Sequence, residues 1–157
     1  MNTVSAQPSD RLAQEKDALS RLVGNLQQEQ VLLAQTDAEG ITDLISAKAQ
    51  IVYEMATFAG ERHKLLAALG FGADENGMQQ WMDQQGSDEA RQLWSELFEL
   101  AQEAKELNRV NGLLIGKKMA LTQNAMTILQ GKVQGGSFYG PDGQSSMRSV
   151  GRRLGVV

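Results

Sequence analysis

The chain has 157 residues, 41% apolar but only 5% aromatic, with no cysteine and a net charge of -4. That length suits one domain, and the absence of cysteine excludes a disulfide framework or a thiolate metal site. The aromatic-poor mixture favours leucine- and alanine-rich helices over a sheet.

Ser9 or Asp10 is the expected cap of a first helix, whose apolar face is Leu12, Leu19, Leu22, Val23, Leu26 and Leu33. Thr36 and Asp37 interrupt it, because their side chains compete for local backbone hydrogen bonds. A second helix is expected from about Ala38 to Leu69, with a stripe of Leu44, Ile51, Met55, Phe58, Leu65 and Leu69 broken by Lys48 and Arg62. Gly70 is placed to end it in the left-handed conformation. The stretch from Gly72 to Gly77 reads as a polar loop, followed by a short helical turn carrying Met78, Trp81 and Met82 over the bundle end.

Ser87 is the expected cap of a long helix, with Asp88 and Glu89 in its first turn, where the helix dipole favours anions. Its apolar seam is Leu93, Leu97, Leu100, Ala104, Leu107, Asn111, Leu114, Lys118, Leu121, Ala125 and Ile128. The steps alternate four and three, so one side of the helix carries them all. Ending near Gly131, that helix is roughly 65 Å long at about 1.5 Å per residue. The two earlier helices come to roughly 40–45 Å each by the same rise, so the distal part of the third seam is expected to overhang them and face another protein's helix. No proline lies between Ser9 and Phe138 to interrupt these segments. The expected architecture is all-α: an antiparallel three-helix, coiled-coil-like bundle over residues 1–135, with a flexible glycine-rich and basic tail over residues 136–157.

Charge is unevenly placed. Residues 1–107 hold 8 Lys/Arg against 18 Asp/Glu, whereas residues 108–157 hold 7 against one, Asp142. Two accounts fit: acids favour early helical turns, or the basic C-terminal part meets an acidic protein surface. Arg148, Arg152 and Arg153 are too few, and lack the aromatic platform or recognition helix, for a nucleic-acid site. Residues 1–8 carry no basic and apolar leader pattern, and the densest apolar run, Leu113-Leu114-Ile115, is far short of the roughly 20 residues of a membrane span. The expectation is a cytoplasmic protein with no stable membrane insertion.

No catalytic constellation emerges. His63 is the only histidine, so paired-histidine zinc sites are excluded, and Ser137 and Ser145 have no base at a recognisable spacing. The glycines from Gly135 to Gly143 neither follow a strand nor open a helix, which excludes a phosphate cradle. Glu96, Glu99, Glu103 and Glu106 repeat as a solvated helix face, and Trp81 and Trp94 read as bundle packing. No cofactor is implied. Asn111, a polar residue on the seam, either fixes helix register or sits at the core's edge. Lys118 fits an open end of the seam better than a closed core.

The run Asn108-Arg109-Val110-Asn111-Gly112-Leu113-Leu114, a later Asn124, and the tail Tyr139-Gly140-Pro141-Asp142-Gly143-Gln144 together resemble the FlgN family of flagellar type III export chaperones. The resemblance covers nearly the whole length and implies a non-enzymatic protein. It implies binding of the hook–filament junction proteins FlgK and FlgL, and delivery of them to the export-gate protein FlhA. The cargo surface is then expected at Leu114, Lys118, Leu121, Ala125, Ile128 and Leu129. Tyr139 is the expected export-gate contact, within a tail motif completed by Gly140, Pro141, Asp142, Gly143 and Gln144. The chain is expected to be a monomer or weak homo-oligomer. The competing reading is a coiled-coil adaptor or regulator that self-assembles through the same seam.

Overall fold

A computed structural model describes residues 5–35 and 39–136, with side chains through residue 131. Four helices account for nearly all of these residues: α1 (Leu12–Ala34), α2 (Ile41–Ala68), α3 (Glu75–Gln85) and α4 (Asp88–Gly136). Backbone packing divides the chain into residues 1–115 and 116–157, and α4 contributes to both units.

In the first unit, helix direction can be read from the cross-helix pairs. Arg11 bridges to Glu61, Arg21 to Glu54 and Lys48 to Glu29, so numbers fall along α2 as they rise along α1. These two helices are therefore antiparallel. Lys16 pairs with Glu96, Gln27 with Glu103 and Asn111 with Leu26, so α4 runs parallel to α1. The result is the expected up-down-up bundle.

Its core has two parts. One joins Leu12, Leu66, Met78, Trp81, Met82, Ala90 and Trp94, drawn from all four helices. The other joins Leu19, Val23, Leu26 and Ala104, with Leu22, Met55, Leu97, Leu100 and Leu107 packed around them. The expected α1 face is thus the core face, and the proximal α4 seam packs against it.

Local chemistry sets the ends. Gly70 has φ of 84°, a left-handed conformation that glycine adopts without a Cβ clash. Its N–H donates to Ala67 and that of Phe71 to Leu66, the paired bonds of a Schellman motif. Ser87 Oγ accepts from the N–H of Ala90, capping α4 as expected.

Four expectations differ from the structure. Neither Ser9 nor Asp10 caps α1, whose first residue follows Arg11. Asp10 instead accepts from the N–H of Gln7, closing a turn before the helix. The read loop from Gly72 to Gly77 contains the start of α3, because Asp74 Oδ1 accepts from the N–H of Gly77 at 2.7 Å. A Cβ on Gly77 would meet the Gly72 carbonyl oxygen at 1.8 Å, so this loop-to-helix turn requires glycine. At the end of α2, Leu66 rather than Leu69 enters the core, because α3 packs over that side. Finally, α4 passes through Gly131 and continues to Gly136. One glycine costs only about 1 kcal/mol in a helix interior, too little to stop a long one.

Candidate functional site

The distal half of α4 carries apolar side chains that nothing in the described structure covers. Met119, Leu121, Ile128 and Leu129 are each 60–61% exposed, and Met126 and Ala125 are exposed beside them. Upstream on the same seam, Leu114 and Lys118 are half-buried. Lys117 and Lys118 are the only charged residues between Val110 and Gly131. The segment therefore offers an apolar surface with purely positive charge. Single exposed apolar residues are ordinary on protein surfaces, whereas a set of them along one helix is the feature that makes this segment a candidate site. Tyr139, Gly140, Pro141, Asp142, Gly143 and Gln144 lie outside the described residues, as does the basic stretch that follows them.

The proximal half of α4 is tied down by buried polar groups. Asn111 is 1% exposed, and its Nδ2 donates to the Leu26 carbonyl at 2.9 Å and to Glu29 Oε1 at 3.3 Å. Glu29 also takes the Lys48 ammonium, so α1, α2 and α4 meet at one polar node. A polar peg of this kind fixes which residues of α4 face α1. Asn111 is thus a register residue within the bundle core and not an edge residue.

A second node lies nearer the α3 end. Arg62 is 4% exposed, with Nε and Nη2 donating to the two carboxylate oxygens of Glu15 at 3.1 and 3.2 Å. Its Nη1 reaches Glu75 at 3.3 Å, and its guanidinium carbon sits 5.0 Å from the Trp94 ring centroid. The same side chain therefore joins α1, α2, α3 and α4 through a bidentate ion pair and a cation–π contact. Trp94 completes its own bonding by donating Nε1 to Gln79. Arg62 and Lys48, which interrupt the apolar stripe of α2, are accounted for by the two buried acids on α1. The signal was available in the sequence: Glu15 and Glu29 lie two helical repeats apart, on the α1 core face.

Surface pairs shift a few ionisations. The Lys16 ammonium, and then the Gln92 amide, hold the Glu96 carboxyl below its ordinary value. Arg109 does the same to Glu106 by direct hydrogen bonding. His63 Nε2 lies 3.5 Å from Glu75 Oε1, a carboxylate already paired with the Arg62 guanidinium. Among the described residues, no group of His, Cys, Asp and Glu could hold a metal ion. No described helix is long and apolar enough to cross a membrane.

Comparison with known proteins agrees with the resemblance in sequence. The family model for FlgN protein matches residues 1–147. The flagella synthesis proteins FlgN of Salmonella typhimurium (strain LT2) and Salmonella typhi are each 29% identical to this chain over 91 residues, 58% of its length. The match spans 64% of the length of these curated relatives. No solved structure matches the chain. With the family model extending over almost all of the sequence, this chain belongs to the FlgN family.

Proposed function

We propose that the chain is a cytoplasmic, non-enzymatic flagellar export chaperone. In this reading it binds the hook–filament junction proteins FlgK and FlgL, masks their amphipathic helical ends and brings them to the export gate. The observation that carries the proposal is the exposed apolar run from Met119 to Leu129, in a chain of this family.

The physics suits a carrier that must also release. Full burial of a Leu, Ile or Met side chain is worth roughly 1.5–3 kcal/mol. Five such groups give a gross gain of the same order as the roughly 4–15 kcal/mol cost of association, before any ordering of a flexible cargo end. Affinity therefore depends on how completely the cargo helix covers the patch. Helix-on-helix packing along Leu121, Ala125, Ile128 and Leu129 is the matching mode, with Leu114 and Lys118 at its inner end. Lys117 and Lys118 favour a cargo segment with acidic flanks.

Under this reading Tyr139, in the motif completed by Gly140 to Gln144, contacts the export-gate protein FlhA. Tyr139→Ala is then expected to weaken capture of FlhA without changing capture of cargo.

The direct test mixes the purified chain with FlgK or FlgL and follows size-exclusion elution by light scattering. The expected result is a joint peak and slower aggregation of the cargo. Absence of a joint peak, with the chain forming concentration-dependent oligomers instead, would favour the self-assembling adaptor.

A further inference from the structure

Within the first unit, α4 presents a second seam that its contact with α1 leaves open. Continuing from the buried Trp94, Phe98, Ala101, Lys105 and Asn108 keep steps of four and three, beside the Leu93-Leu97-Leu100-Ala104-Leu107 seam that packs on α1. On α2, Lys48, Val52, Met55, Ala59 and Arg62 follow the same alternation. These two sets line a pair of adjoining cavities, of about 300 and 340 Å³, that share Leu19, Met55 and Ala101. Together they form one groove, with α2 and α4 as walls and α1 as floor. Its rims are apolar and uncovered: Phe98 is 59% and Val52 49% exposed.

Two helices whose facing seams both carry this spacing, above an apolar floor, have the shape of a four-helix bundle lacking one helix. Charge identifies the missing member. One end of the groove carries Lys48 and Lys105. Of the two, Lys48 is paired with Glu29, and Lys105 makes no ion pair among the described residues. The opposite end carries Glu15 and Glu75, both already engaged with Arg62. A basic residue on the incoming helix would be repelled by Lys105, whereas an acidic one would be held there.

We propose that this groove docks one amphipathic helix of a partner protein, apolar face inward, with an acidic side chain over Lys105. The site is separate from the distal surface at Leu121 to Leu129 and does not depend on the cargo reading of that surface. A second copy of the chain is a poorer occupant. Its uncovered apolar helix, between Val110 and Gly131, carries lysines and no acid to meet Lys105.

The test uses two designed 18-residue helical peptides with leucine at heptad spacing, one flanked by glutamate and one by lysine. They are titrated into the full chain carrying methyl-labelled methionine and alanine. The acidic peptide is expected to shift the Met55 and Ala101 methyl signals and to bind at least tenfold more tightly than the basic one. Lys105→Glu is expected to reverse that preference. Phe98→Asp, at an exposed position, is expected to weaken the acidic peptide about tenfold while leaving the melting midpoint unchanged. Equal binding of both peptides, or shifts confined to Met119 and Met126, would overturn the proposal. So would a homodimer that Phe98→Asp disrupts, since it would make a second copy the occupant.

Discussion

Arg62→Ala is the most informative perturbation of the bundle. The side chain is 4% exposed and supplies both hydrogen bonds to the Glu15 carboxylate, which is itself buried. Glu75, the other partner, is largely exposed and regains water when the arginine is lost. The cost is therefore dominated by Glu15, left as an uncompensated charge inside the core. Breaking a buried pair from one side costs about 3–5 kcal/mol. For a chain of this size, each kcal/mol lowers the melting midpoint by roughly 2–4 °C, so the expected drop is about 6–20 °C. Helical circular dichroism during heating and urea unfolding measures it. Arg109→Ala is the control: its partner Glu106 is exposed, and the midpoint should stay in place. Replacing Arg62 and Glu15 together by Met and Leu is expected to recover most of the loss, because the stranded charge disappears. A single variant within about 1 kcal/mol of the parent, or a double variant no better than the single, would mean that Glu15 is not stranded as a buried charge.

Two further outcomes follow from the same geometry. Asn111→Asp places a carboxylate where Nδ2 now donates to Glu29 at 3.3 Å, and burial should make this variant among the least stable single changes in α4. Chemical denaturation of Asn111→Asp beside Asn111→Ala separates charge repulsion from simple loss of the bonds. The Glu96 carboxyl is held below its ordinary value in the fold, by Lys16 first and Gln92 second. Its contribution is therefore present above the unfolded-state pKa of a glutamate and fades as pH falls through the lower folded value. Carboxyl NMR titration should show Lys16→Met moving the Glu96 midpoint upward, and the stability gap between the two proteins should close in acid.

Much of the bundle was legible because amphipathic periodicity is a local signal. The α1 face from Leu12 to Leu33, the α4 seam through Leu107, the left-handed Gly70 and the Ser87 cap each follow from side chains a few residues apart. The harder features depend on distant neighbours. Arg62 and Lys48 interrupt the stripe of α2, and only the antiparallel pairing with α1 sets Arg62 in the core and Lys48 at its edge, opposite Glu15 and Glu29. Leu66 displaces Leu69 from the core because α3 folds over one side of α2, which no periodicity within α2 encodes. The start of α3 was hidden because Asp74 and Gly77 are turn-forming residues, and here Asp74 caps the helix by accepting from the N–H of Gly77 within it. Similarly, Gly131 is a weak helix breaker inside a helix long enough to absorb it.

For the candidate site, sequence spacing located the distal surface, and accessibility separates its members. Leu121, Ala125, Ile128 and Leu129 stand exposed, whereas Leu114 and Lys118 are partly enclosed. The second open seam, from Phe98 to Asn108, was not apparent from the sequence. Ala101 and Asn108 are weakly apolar, and Lys105 masks the pattern until α2 supplies the facing wall.

We propose that the distal α4 side chains bind a partner and do not hold the chain together. The most direct measurement is titration calorimetry of the doubly substituted Leu121→Asp, Ile128→Asp chain against FlgK or FlgL, with its melting curve recorded alongside. The expected result is a loss of affinity of at least a hundredfold with the melting midpoint unchanged. Undiminished affinity, or a collapse of thermal stability, would contradict it.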